Sequence, residues 1–179
     1  MADYKLNVTG NQTIAREMMI AYLNTGEKET PKWSPMGKRS TSSDVEYDWQ
    51  EETTTDILGH KYTSMKKPTM TQSFDAWDLA GGDEAQAKII NLGIVQQDAQ
   101  ALTNQDMMIA HYYLNTDGDV VAHFAERYDA CMVKPVSLGG DGGGNLGMPT
   151  DVTYGGTRTV GTVSKTAEGV VTFNPATAE

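Results

Sequence analysis

Two kinds of alternation run along this chain. In residues 16–24 (REMMIAYLN) both sets of alternate positions are apolar: Met18, Ile20 and Tyr22 on one side, Met19, Ala21 and Leu23 on the other. Residues 106–114 (DMMIAHYYL) repeat the pattern. Side chains two apart share a face of a strand, so these segments predict strands buried on both faces. From Val45 the pattern changes. Val45, Tyr47, Trp49 and Ile57 fall on one face; Glu46, Asp48, Gln50, Glu52, Thr54 and Asp56 fall on the other. A turn at Leu58-Gly59 sends the chain back through KYTSMKKPTMTQSFDAW, which predicts a long hairpin over 45–77 with one wet, acidic face.

The remaining elements follow the same logic. Residues 82–97 predict one helix, with Asp83 as N-cap, Ala85, Ile89 and Leu92 in a stripe, and Ile90 and Ile94 beside it. Gly93 weakens its last turn by about 1 kcal/mol relative to Ala. Asp117-Gly118 signals a hairpin turn into a strand over 120–133, whose apolar face (Val120, Ala122, Phe124, Tyr128, Ala130, Met132) is interrupted by Glu126. Residues 149–163 predict one strand with an internal bend at Gly155-Gly156, and 169–174 a last strand. Between them lie a loop over 25–44 and a glycine-rich loop over 137–148, expected to be flexible. The division expected is an N-terminal arm over 1–15, a β-domain over 16–163, and a C-terminal strand and tail over 164–179.

Trp33 and Met36 stand out in the otherwise polar 25–44 loop. Either the loop folds back on its own domain or the pair docks on another subunit. Lys61, Lys66 and Lys67 reverse the charge sign near the hairpin tip. They suit head-to-tail contact between copies, or serve as strand-edge charges that prevent aggregation.

Composition narrows the function. The 179 residues allow one domain with a sizeable core, and eighteen glycines with a single helix pattern indicate a mainly β fold. Fourteen basic and 24 acidic residues give a net charge of −10, which repels polyphosphate and argues against a nucleic-acid-binding module. One cysteine, Cys131, leaves no internal disulfide, and its strand setting points to an inert thiol. No segment reads as an export signal or a membrane span.

Apparent chemical motifs fail on context. Residues 142–147 fit GxGxxG literally, but a strand follows where a dinucleotide site needs a helix. Asn115, Asp117, Asp119 and Glu126 resemble a calcium loop, yet Val120 occupies the position that must turn sharply. His60, His111 and His123 lack metal-ligand spacing. Four acids at strand spacing look like a solvated surface and not a tuned catalytic pair. No enzyme and no cofactor is expected.

The segments VEYDWQEETTTDILG, YTSMKKPTMTQSFDAWDLAGGDEAQ and FAERYDACMVKPVSLGG…MPTDVTYGGTRTVGTV resemble the major tail proteins, or tail tube proteins, of long-tailed non-contractile bacteriophages, over roughly residues 15–163. The resemblance implies a β-sandwich or barrel flanked by one helix. It implies hexameric rings stacked into a hollow tube that carries double-stranded DNA without binding it specifically. Tape measure, tail terminator and distal tail or baseplate proteins would be the other partners, in a virion tail built in the bacterial cytoplasm. Glu46, Asp48, Glu52 and Asp56 are then expected to face the lumen, and Trp33, Met36, Lys61, Lys66 and Lys67 to join subunits or rings. The same fold is similar to inner tubes of contractile tails, tailocins and type VI-like secretion systems, which remain an alternative. A soluble β-sandwich that binds glycans or peptides through Trp33, Trp49 or Trp77 is a second.

Overall fold

The computed structural model describes residues 4–8, 10–116 and 122–176. Twelve strands are found there: β1 (Tyr4–Leu6), β2 (Met19–Asn24), β3 (Trp33–Pro35), β4 (Ser43–Asp48), β5 (Glu52–Thr55), β6 (Lys61–Ser64), β7 (Thr69–Asp78), β8 (Gln105–Thr116), β9 (His123–Pro135), β10 (Gly147–Tyr154), β11 (Arg158–Lys165) and β12 (Val171–Pro175). Ten of these belong to one curled, branched antiparallel sheet with a main path β3-β2-β8-β9-β10-β7-β4. β1 joins the far end of β8, and β11 with β12 branches from β9. β5 and β6 form a separate two-stranded sheet. The mainly β architecture with helix on one side is the one the alternation predicted.

The doubly apolar strands sit where that pattern requires. Ala21, Leu23, Met107 and Ile109 face one buried cluster, which also holds Met70, Phe74, Trp77, Val133, Met148 and Val152. Tyr22, Met108 and Ala110 face a second cluster, with Trp33, Ala125 and Val163. β2 and β8 thus divide two cores. β1 and β12 pair with β8 and β11, so part of the expected N-terminal arm, and the last strand expected over 169–174, extend the same sheet.

β9 is the corner. Its first half pairs with β11 (Tyr128↔Arg158 to His123↔Val163), its second half with β10 (Met132↔Thr153 to Pro135↔Thr150). A register shift against β8 falls between Tyr128 and Cys131. The extra residue flips the alternation, as bulges do. Tyr128 faces the main core, but beyond the bulge it is Cys131 and Val133 that do so, leaving Ala130 and Met132 on the other side. The single apolar face expected to carry Phe124, Tyr128, Ala130 and Met132 is therefore not formed. Opposite the bulge, Gly155-Gly156 makes the predicted bend, and a Cβ on Gly155 would lie 2.7 Å from the Ala130 carbonyl oxygen.

The helix expected over 82–97 forms and ends at Val95, and a further short helix follows beyond that range. α1 spans Glu84–Ile90, a wide turn with i→i+5 bonding covers Asn91–Val95, and α2 spans Ala99–Leu102. Asp83 does cap α1, accepting from the Gln86 amide at 3.0 Å. Ala85 and Ile89 are buried, while Ile94 is partly exposed. Gly93 has a packing reason beyond helix propensity: its Cβ would lie 2.7 Å from Pro135 Cγ. The glycine-rich loop is also tied down, by paired backbone bonds between Gly139 and Gly147 at 2.7 and 3.1 Å. The Asp117-Gly118 turn lies outside the described residues.

Candidate functional site

Among the described residues no group of three His, Cys, Asp or Glu comes together as a metal site. The candidate functional features are an acidic sheet face, a projecting hairpin, and unpaired sheet edges.

The acidic face belongs to the β4-β7-β10-β9 part of the sheet. Val45 turns inward, while Asp44, Glu46 and Asp48 turn out. Register extends their rows across the sheet. Glu46 lies opposite Thr71, Thr71 opposite Thr153, and Thr153 opposite Met132. Asp44 lies opposite Ser73, Ser73 opposite Asp151, and Asp151 opposite Lys134. Asp151 and Lys134 are 3.3 Å apart, and both remain about half exposed. The face thus carries four carboxylates, several hydroxyls and one lysine. Of the four acids selected from sequence, Glu46 and Asp48 lie on it. Asp44 and Asp151 were missed: the first would follow from running the alternation one step upstream, the second depends on a register that sequence alone does not provide.

Glu52 and Asp56 are not part of that face. The ribbon expected to run unbroken from Val45 to Asp56 ends at Asp48, and Gln50 takes a positive φ of 47°. Glu52 lies in β5. Asp56 organises the hairpin turn, accepting from the Leu58 and His60 amides at 2.8 Å each and from Tyr62 Oη at 3.1 Å. Hydrogen bonds from the His60 amide, then from the His60 ring, hold its carboxyl below the usual carboxylate range.

The β5–β6 hairpin projects. Every residue of both strands is exposed. Its turn presents Ile57 and Leu58, 102% and 76% exposed, with Trp49, Tyr62 and Met65 also in solvent. An isolated two-stranded hairpin is marginal in water, so this one is poorly supported by its own domain. Lys61, Lys66 and Lys67 are exposed on it and at its base.

Trp33 and Met36 go the other way. Each is 7% exposed, Trp33 in the second cluster and Met36 in the first. Trp33 forms β3, pairs with Asn24, and lies under the Arg127 guanidinium at 5.5 Å. Arg127 is held in turn by both Asp106 oxygens at 2.7 and 2.8 Å. The loop folds back on its own domain, the first of its two readings, and neither Trp33 nor Met36 is presented as an exposed docking side chain.

The sheet ends in unpaired edges at β1, β3, β4 and β12 among the described residues. Its interior holds a charged cluster around Glu126 that sequence marked only as an interruption. Glu126 accepts from His111 Nε2 at 3.1 Å, Arg158 Nε at 2.6 Å and Tyr128 Oη at 3.0 Å. Burial pushes its carboxyl up, but the His111 and Arg158 hydrogen bonds and the guanidinium charge outweigh this and hold it below its ordinary value. Cys131 is fully buried, and that burial pushes its thiol up to about 12. Among the described residues no helix is long and apolar enough to cross a membrane.

These features define a mainly β chain with open sheet edges and a projecting hairpin. Solved chains of similar shape include one from the PVC sheath–tube complex of an extracellular contractile injection system in its extended state (13% identity, 86% of this chain and 94% of that one, TM-score 0.47). Another comes from the sheath/tube terminator of that system (12% identity, 85% and 99%, TM-score 0.49). A third is from the anti-feeding prophage cap that terminates its tube (15% identity, 95% and 96%, TM-score 0.46). No protein-family model and no curated protein matches the chain.

Proposed function

We propose that this chain is a structural, non-enzymatic subunit of the hollow tube of a phage-tail-like particle. The observation that carries the reading is incompleteness. The sheet stops at unpaired edges, and the β5–β6 hairpin stands out with its apolar turn in water. Unpaired edges template further pairing, and closing a sheet into a barrel removes them. Copies joined edge to edge would form the ring that the sequence resemblance implies, with six subunits. The acidic face of β4, β7, β10 and β9 would line its bore. With screening over about 8–10 Å, wall carboxylates repel a passing duplex at close range. Tape measure, terminator and distal tail proteins would meet the tube at its ends. A bare siphovirus tail and the inner tube of a sheathed, contractile particle are both served by this construction.

Electron microscopy of the concentrated protein tests the reading. Hollow tubes, or rings with six-fold end views, are expected. Particles that stay single at every concentration, alone and with the tail proteins encoded beside this chain, would overturn it.

A further inference from the structure

β2 ends in a buried polar knot that the tube reading does not use. Asn24, the last residue of the strand, is 2% exposed. Its side-chain oxygen accepts from the Gly26 and Lys32 amides at 2.9 Å each. Its side-chain nitrogen donates to Asp106 Oδ2 and to the Glu27 carbonyl at 3.0 Å each. Asp106 is buried near the start of β8 and is anchored by the Arg127 guanidinium at 2.7 and 2.8 Å. From the helical side comes Lys88, in the last turn of α1, whose Nζ donates to the Asn24 main-chain carbonyl at 2.6 Å.

These groups are the parts of an amide transfer. An amine is a nucleophile only when its lone pair is free, and desolvation favours that neutral form. Burial pushes the Lys88 amine down, and the Asp106 charge offsets this only in part. When a carboxamide is attacked, its oxygen takes on negative charge, which backbone N–H groups already aimed at that oxygen stabilise. The Gly26 and Lys32 amides stand in that position at Asn24 Oδ1. The departing nitrogen must gain a proton, and Asp106 is the carboxylate in contact with it.

We propose that Lys88 and Asn24 become joined by an isopeptide bond that the folded chain forms on its own. A turn about the flexible lysine stem takes Nζ from the Asn24 carbonyl to Cγ of the same residue. The Nζ lone pair attacks Cγ, and the carbonyl π pair moves onto Oδ1. Asp106 accepts a proton from the attacking nitrogen and passes it to Nδ2. The Oδ1 pair then restores the carbonyl, the Cγ–Nδ2 bond breaks, and ammonia leaves. One C–N bond forms as another breaks, so no oxidant or reductant is required. The product ties the end of β2 to α1, in a chain whose one cysteine is buried and free. This inference is independent of the tube reading.

Intact-mass spectrometry of the purified chain tests it. The expected mass is that of the sequence less one ammonia, and a tryptic digest should contain a branched peptide joining the segments that carry Asn24 and Lys88. Lys88→Arg keeps the charge and removes the nucleophile, so it should retain the full mass and lose the branched peptide completely. A folded wild-type chain that keeps its full mass after days at pH 8 would overturn the bond. Ammonia loss that persists in Lys88→Arg, as a succinimide at Asn24 would give, would also overturn it. Neither result alters what electron microscopy says about assembly.

Discussion

Glu126→Gln isolates the buried charge cluster at the corner strand. The substitution keeps the side chain's volume and one acceptor oxygen but removes the charge that Arg158 and His111 share. Removing one partner of a buried ion pair costs about 3–5 kcal/mol. The lower end applies, because the Arg158 side chain is 50% exposed and can turn to water, while His111 keeps Tyr113 Oη at 2.9 Å. A loss of about 3 kcal/mol lowers the melting temperature of a chain this size by about 6–12 °C. The pH dependence is a sharper signature. The folded Glu126 carboxyl lies below its ordinary value, so it binds fewer protons folded than unfolded near pH 4. Its contribution is complete above the unfolded pKa of about 4.3 and is lost as pH falls through the folded value. Urea unfolding at pH 7 should show the full difference between wild type and variant, and unfolding below pH 4 a smaller one. A difference under about 1 kcal/mol at pH 7, or one that grows towards acid, would refute the assignment.

The Cys131 thiol, pushed up to about 12, should not react with a disulfide reagent at pH 8 in the folded protein and should react fully in denaturant; fast native reaction would place it outside the core. Deleting residues 30–43 removes β3, Trp33 and Met36, so it should abolish cooperative unfolding rather than merely block stacking. Replacing residues 50–65 by a tight turn should instead leave the melting temperature within about 2 °C, since surface changes fall within about 0.5 kcal/mol, and should stop assembly. Calorimetry and sedimentation separate the two deletions, and a stable, assembling 30–43 deletion would contradict the packing. Changing Asp44, Glu46, Asp48 and Asp151 to Lys should give tubes that retain DNA in a salt-dependent way. Tubes whose retention is unchanged by the reversal would remove this face from the bore.

What sequence revealed was what periodicity and local chemistry control. β2 and β8 were legible because both alternate sets are apolar, Asp83 because a cap acts within one turn, and Gly155-Gly156 because bends advertise themselves. The misses are long-range. A bulge at residues 129–130 switches the inward face of β9, and nothing local announces it. Trp33 and Met36 looked like docking residues because their cover, from Arg127 on β9 to the cluster around Phe74, lies far along the chain. Asp151 joins Glu46's face only through β7, which pairs with both strands.

The break at Gln50 then explains how one ribbon serves two purposes. Had the alternation from Val45 continued unbroken, Trp49 and Ile57 would have remained on the inner face and the acids to Asp56 on the wet one. The turn of backbone at Gln50 ends the pairing with β7 at Asp48 and hands the next residues to a separate sheet. Up to Asp48 the chain obeys the core: Val45 packs inward and Asp44 and Glu46 stay wet. Beyond it, residues obey no constraint from their own domain, since every residue of β5 and β6 is exposed. A sequence that nonetheless places Trp49, Ile57, Leu58, Tyr62 and Met65 there carries an apolar cost in water with no return inside the monomer. On the proposed tube reading, folding and assembly therefore fall to different stretches of one hairpin: the base can be altered only at the expense of the core, and the tip only at the expense of contact between copies.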